Sequence, residues 1–365
     1  MLDLPAAARL YLRPIQFVDT PVGRDGEVAR LAGGLLWFSG FELIAVEKEK
    51  RVLQRVVSIA EAEADPRLAP LAARITATRP PLALGQRTLR FDQPQVMAIL
   101  NMTPDSFSDG GKHLGDAAAA AQAGVDMSIA GAAILDVGGE STRPGAQTVW
   151  EGDEIARVVP VIERLAASGA AISIDTRKAA VMEAALAAGA HVVNDVSALL
   201  YDDRALEVVA RAGCPVVLMH AADPKHGAKG RGAYRDVLIE VYDWLEARVE
   251  AAVAAGLDRA KIVIDPGIGF GKTLADNLAL MNGLALFHGL GCPILLGASR
   301  KRIVGALSNE APAEQRLGGS LALALKGAAL GVQLLRVHDV FESVQALRVW
   351  RGMQDAALTA PHAAV

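Results

Sequence analysis

The chain has 365 residues, 35 of them glycine, with 52% hydrophobic but only 4% aromatic side chains; that suffices for one large α/β domain plus an appendage and excludes a disordered polymer. Lys and Arg number 37 against 41 Asp and Glu, a formal charge of −4, which excludes the clustered basic surface that nucleic acid or an anionic membrane requires and points to small-molecule partners. No uncharged apolar run reaches the ~18 residues needed to span a bilayer, and Asp3 and Pro5 stand where a secretory leader needs basic and apolar stretches, so the expected compartment is the cytoplasm.

Residues 1–85 read as a small α+β extension whose role the sequence does not give. A strand and turn are expected around 31–41, a short strand at 43–46 and a helix near 50–63, before the run ITATRPPLALG (75–85) marks a linker or turn. A hairpin at 87–91 is expected to plug the bottom of the following domain.

From residue 96 short apolar runs alternate with Ala-rich helical patterns, the sign of βα units on a parallel sheet. Strands are expected at 96–100, 133–137, 171–174, 191–193, 215–219, 261–264, 293–296 and 333–337. Helices follow near 115–130, 151–168, 178–189, 203–213, 234–256, 273–290, 314–330 and 341–357. Eight units predict a closed (β/α)₈ TIM barrel over 86–358, with 359–365 a flexible tail; an open doubly wound sheet is the structural rival. Cys214 and Cys292 each sit in Gly-Cys-Pro before an apolar run and read as buried free thiols.

What ends each apolar run carries the chemistry. The eight ends hold Asn101; Asp136 with the run 138–144; Asp175 and Thr176; Asn194 and Asp195; His220; Asp265, Pro266 and Gly267; Ser299, Arg300 and Lys301; and Arg336 and His338. A barrel brings them to one mouth, where active sites are built. Asp136 and Asp195 can equally cap a helix or close a turn, and His220 can be a core histidine. Asp175, Asp265 and Asn194 offer acceptors to a flat heterocycle with amino and ring N–H donors. Arg143, Arg300, Lys301, Arg336 and His338 suit a phosphate or diphosphate. The run 267–273 ends in Gly-Lys-Thr like a phosphate loop, but Pro266 occupies the position of its first glycine; the expectation is a loop bent over the pocket with Phe270 as a wall.

Eight runs, VMAILNMTPDSFSDGG (96–111), ILDVGGESTRPGA (134–146), SIDTRK (173–178), VVNDVSA (192–198), VVLMH (216–220), VIDPGIGFGKT (263–273), LLGASRKRIVG (295–305) and LLRVHDV (334–340), together resemble the dihydropteroate synthase family over about 90–350. The resemblance implies a transferase of folate biosynthesis that condenses (7,8-dihydropterin-6-yl)methyl diphosphate with 4-aminobenzoate, releasing diphosphate and 7,8-dihydropteroate. It implies pterin binding by Asp175, Asn194, Met219, Asp265, Lys301 and Arg336, and aminobenzoate binding by Phe107, Thr142, Pro144, Phe270 and Ser299. Asn101, Arg143, Arg336 and His338 correspond to the diphosphate contacts, with Asn101 the ligand to Mg²⁺. Asn101, Asp105, Thr142, Arg143, Lys301, Arg336 and His338 form the implied catalytic set. The loops 105–111 and 141–145 correspond to two segments that close over the site; a homodimer and a sulfonamide target are implied as well. Ile268, Met102 and the N-terminal extension depart from the family pattern. Two rivals remain, a catalytically silent pterin-binding paralogue with a scaffolding role and a methyltetrahydrofolate-dependent methyltransferase. The second is not expected to carry ESTRPG together with SRK and RVHD.

Overall fold

The computed structural model describes residues 2–102, 116–141, 148–225 and 233–359. Its N-terminal part is a sheet of β1 (Arg9–Val18), β2 (Ala29–Arg30), β3 (Trp37–Glu47) and β4 (Lys50–Ser58), followed by α1 (Ile59–Ala64) and α2 (Ala69–Thr76). β3 pairs antiparallel with each of the other three strands. The helix expected near 50–63 starts only at Ile59; residues 50–58 are strand. Val52, Leu53, Val56 and Val57 sit at helical spacing, yet burial alternates with a period of two. Leu53, Arg55 and Val57 turn inward while Val52 and Val56 stay exposed, as a half-buried strand requires. The turn at Lys48 and Glu49 has φ of 50° and 62° and directs Glu47 onto Lys50. Such left-handed pairs match the twist of a hairpin, but no Asn or Gly flags this one. β1 and the full length of β3 exceed what the sequence suggested.

One side of this sheet buries Phe38, Phe41 and Leu43 with Ile59, Leu68 and Ile75; Tyr11 and Ile44 belong to the core of the larger domain instead. Next comes a hairpin of β5 (Leu82–Leu84) and β6 (Arg87–Leu89), longer than the 87–91 expected. Its Leu82, Leu84 and Leu89, with Phe91, form one cluster with Met97, Ile134, Ala171, Val192, Val217, Val263, Leu295 and Leu334. Each of the latter eight lies in, or immediately before, a different barrel strand, so the hairpin plugs the barrel floor. Burial of such side chains contributes about 1.5–3 kcal/mol apiece.

The barrel runs β7 (Gln95–Asn101), α3 (Ala117–Ile129), β8 (Ile134–Gly138), α4 (Glu151–Ala167), β9 (Ile172–Asp175), α5 (Ala179–Ala187), β10 (Val192–Asp195), α6 (Ala205–Ala212), β11 (Val216–Met219) and α7 (Val237–Ala254). It continues with β12 (Ile262–Asp265), α8 (Leu274–Gly283), β13 (Leu295–Leu296), α9 (Arg302–Leu307), α10 (Leu317–Ala329), β14 (Leu334–Val337) and α11 (Val340–Thr359). The sheet order is β12-β11-β10-β9-β8-β7-β14-β13, its pairs parallel, and a parallel bridge from Ile264 to Ile294 joins its two ends. The helix expected over 273–290 stops at Gly283 and continues as a 3₁₀ segment, Leu284–Leu290. Among the described residues no helix is long and apolar enough to cross a membrane, and both cysteines are free.

Candidate active site

Strand parity decides which polar ends enter the barrel. In β9, Ile172 and Ile174 pack outward into the main core while Ala171 belongs to the floor, so Ser173 and Asp175 point inward. The same count sends Asn101, Asp136, Asn194, Met219, Asp265 and Arg336 inside, above the apolar floor. Their neighbour Asp195 turns outward. Its carboxylate accepts from Ser197 N at 2.6 Å and Leu199 N at 3.0 Å, so for Asp195 the turn-closing reading holds.

For Asp136 it does not. Asp136 Oδ2 accepts from Asn194 Nδ2 at 3.0 Å and from Arg336 Nε at 2.6 Å. Arg336 Nη2 donates in turn to Asp175 Oδ2 at 2.6 Å. Asp136 was the part of this network that strand ends alone could not separate from a helix cap; parity was the signal that could have found it. Burial disfavours the Arg336 charge, but Asp136 and Asp175 outweigh it and hold the guanidinium above its ordinary pKa. Burial pushes the Asp175 carboxyl up despite Arg336. Among the described residues, Asp136 Oδ1, Asp175 Oδ1 and Ser173 Oγ are buried and take no hydrogen bond from the protein. Such acceptors cost free energy until a donor arrives.

Asp265 occupies the next sector. Its Oδ1 accepts from Gly267 N at 2.7 Å, and burial raises its pKa against the pull of Lys301 and that N–H. A Cβ placed on Gly297 would lie 3.8 Å from both Asp265 Oδ2 and Lys301 Nζ and 3.9 Å from Arg336 Cβ, so these groups surround one point. A Cβ on Gly138 would likewise lie 3.4 Å from Asn101 Oδ1 and 3.5 Å from Asp175 Cβ. Lys301 precedes α9 at the N-cap position but makes no capping bond. Its ammonium donates to Ile268 O and sits 4.5 Å from the centre of the Phe270 ring, a cation–π distance. Burial lowers its pKa to about 8.

Phe270 packs with Val196, Met219 and Ala221. On the other side of Lys301, Ser299 Oγ lies 3.1 Å from His338 Nδ1 and accepts from His338 N at 3.2 Å. Arg300, grouped by sequence with the phosphate-binding cations, places its fork on Asp339. The structure therefore gathers Asn101, Asp175, Asn194, Met219, Asp265, Phe270, Ser299, Lys301, Arg336 and His338 at one end of the barrel. The expected site residues Asp105, Phe107, Thr142, Arg143 and Pro144 lie outside the described residues.

A second network went unread. Glu140 Oε1 accepts from Val149 N at 3.1 Å and Arg177 Nη2 at 3.2 Å, and Oε2 accepts from Lys178 Nζ at 3.0 Å. Lys178 Nζ also donates to Val149 O at 2.8 Å and to Glu154. This buried cluster ties residue 140 to residue 149. Only Glu140 and Lys178 being charged in a buried stretch could have announced it.

A family model described as "Pterin binding enzyme" matches residues 97–338. Dihydropteroate synthase of Escherichia coli (strain K12) is 44% identical over 263 residues, covering 72% of this chain and 92% of that protein. Dihydropteroate synthase of Xanthomonas albilineans, solved with 4-aminobenzoic acid, superposes with a TM-score of 0.72 at 47% identity, covering 78% of this chain and 100% of that one. The same organism's enzyme in complex with 7,8-dihydropteroate gives a TM-score of 0.68 at 44% identity, covering 77% and 100%. The family match begins beyond β1–β4 and the floor hairpin.

Proposed function

The chain belongs to the pterin-binding enzymes, and from that premise we propose that its barrel mouth condenses (7,8-dihydropterin-6-yl)methyl diphosphate with 4-aminobenzoate, the dihydropteroate synthase reaction. The carrying observation is the buried Asp175 Oδ1, an acceptor with no protein donor, in a wall that also holds Asp265 and Asn194. A pterin edge supplies the amino and ring N–H groups that such acceptors need.

In this reading Asp175, Asn194 and Asp265 orient the pterin, with Met219 against its face and Lys301 and Arg336 balancing the carboxylates. The methylene C–O bond breaks first, its electron pair leaving with diphosphate. The cation left behind spreads into the electron-rich ring beside the carboxylates. The aniline nitrogen of aminobenzoate then forms the new C–N bond and releases a proton to solvent. No enzyme nucleophile is required. His338, Arg143 and Arg336 are the residues we assign to the leaving diphosphate. Phe270 and Ser299, with Phe107, Thr142 and Pro144, receive the aminobenzoate; sulfonamides that copy its shape should compete there.

Asn101 suits Mg²⁺: its amide oxygen reaches the edge of the site near Gly138, and an ion that keeps few protein ligands takes the rest from water and phosphate. When bound, Mg²⁺ would supply charge that stabilises the departing diphosphate. We further place the protein in the cytoplasm, where its two free cysteines stay reduced, as a homodimer. Exposed Phe341, Val349 and Met353 on α11 offer an apolar face for a second copy.

The test is direct. Purified protein given both substrates and Mg²⁺ should release diphosphate in step with dihydropteroate. Tight pterin binding without turnover would instead mark a silent binding protein.

A further inference from the structure

The glycine run after β12 looks like a phosphate loop, but its lysine turns inward. Lys272 Nζ lies 2.9 Å from Gly267 O, 3.3 Å from Phe270 O, 3.3 Å from His220 O and 2.8 Å from His220 Nδ1. Burial lowers the Lys272 pKa to about 7, and charged or neutral its amino group is taken up by these partners, so no donor is left over for a phosphate. His220 accepts at Nδ1 only as neutral imidazole, and burial followed by the Lys272 charge holds its pKa down to about 2. The Trp244 ring packs edge-on against His220 with centroids 4.8 Å apart, which fixes that acceptor in place.

The loop is drawn down tightly at this point. Gly267 has φ +70°, and a Cβ there would lie 1.9 Å from His220 O, so only glycine permits the approach. From the other flank Asn277 Oδ1 accepts from Gly269 N at 2.7 Å, while Asn277 Nδ2 donates to Thr273 O at 2.7 Å. What the loop presents between these two anchors is Phe270, set against Met219 and under Lys301.

We propose that Lys272 is a positioning residue: its inward amino group pins the glycine loop to the end of β11 and thereby sets the Phe270 wall of the second-substrate pocket. The pocket's identity rests on the function proposed above; the pin does not. Without the amino group, the carbonyls of Gly267 and Phe270 and the imidazole nitrogen lose their shared donor, and the turn relaxes toward solvent.

Two measurements on the full chain test this. Hydrogen exchange across residues 267–272 should accelerate at least about 10-fold in Lys272→Met while the barrel strands keep their wild-type protection. In steady-state kinetics Lys272→Met and Phe270→Ala should each raise KM for 4-aminobenzoate about 10-fold with kcat little changed. The double variant should be no worse than Phe270→Ala alone, because coupled residues are not additive. Unchanged exchange in the loop, or KM effects that multiply, would overturn the proposal. If Lys272→Met does not fold, Lys272→Gln replaces it; its amide donates to fewer of these acceptors and should give an intermediate acceleration, whereas wild-type exchange overturns the pin. A wild-type protein that forms no dihydropteroate would sink the functional reading, while the exchange experiment would still decide on Lys272.

Discussion

Arg336 Nη2 lies 2.6 Å from Asp175 Oδ2, and the same guanidinium holds Asp136 through Nε at 2.6 Å. One cation thus serves two carboxylates, and removing it strands both. Arg336→Met is predicted to lower stability by about 3–5 kcal/mol, the cost of breaking a buried pair from one side. The loss should shrink when pH falls from 8 to 5, because burial already pushes the Asp175 carboxyl up and, once stranded, it escapes by protonating. Urea titrations at both pH values measure it; a loss below about 0.5 kcal/mol, within the ordinary spread for surface substitutions, would contradict the network.

Much of this arrangement was legible because a barrel strand has few degrees of freedom. Once 171–174 and 191–193 read as strands, Asp175 and Asn194 had to fall at the mouth; the period of two, which the sequence reading left unused, would have put Asn194 inside and Asp195 outside. Parity was equally available for Asp136, but the identity of its partner was not: Arg336 comes from β14, 200 positions away. The N-terminal sheet was harder. Its β4 carries valines at helical spacing, and the register comes from a Lys48–Glu49 turn whose left-handed conformation no sequence signal marks. There, pairing with β3 overrides local pattern. The Glu140 cluster was hidden for another reason, since buried ion pairs are specified by mutual geometry and not by periodicity.

Glu140 joins the two ends of the stretch between Ser141 and Val149. Burial acts to raise its pKa, but Lys178 and Arg177 outweigh that and hold it below the ordinary value, so the clasp works as a carboxylate. Glu140→Gln keeps the shape and removes the charge. We predict that KM for 4-aminobenzoate rises about 10-fold, equivalent to ~1.4 kcal/mol, while dihydropterin affinity stays within about twofold. Equal losses for both ligands would show that the clasp does not act on the second substrate alone.

Gly297 gives a test by addition. A methyl group there meets Asp265, Lys301 and Arg336 at ordinary contact distances of 3.8–3.9 Å, so Gly297→Ala should fold. The methyl group would stand among the groups assigned to the pterin. Calorimetry is expected to show pterin affinity reduced at least about 10-fold, ~1.4 kcal/mol, with the thermal midpoint nearly unchanged. Full affinity in a folded Gly297→Ala protein would move the pterin away from this sector.

The pH response of Lys301 separates its stability effect from its binding effect. Burial is the main cause of its lowered pKa, with Arg336 adding to it and Asp265 and Asp175 opposing. Folded Lys301 sheds its proton near pH 8, against an ordinary value of 10.5. Between these limits the unfolded chain binds the extra proton, so this group makes stability rise with pH across that window. Binding should run the other way: the ammonium that balances the pterin carboxylates and rests on Phe270 is present below about pH 8 and is lost above it. Pterin affinity measured from pH 7 to 9.5 should therefore fall through an inflection near 8. Lys301→Met should abolish that inflection and leave any titration of the ligand itself behind; an inflection that survives in the variant would assign it to the pterin or to another group.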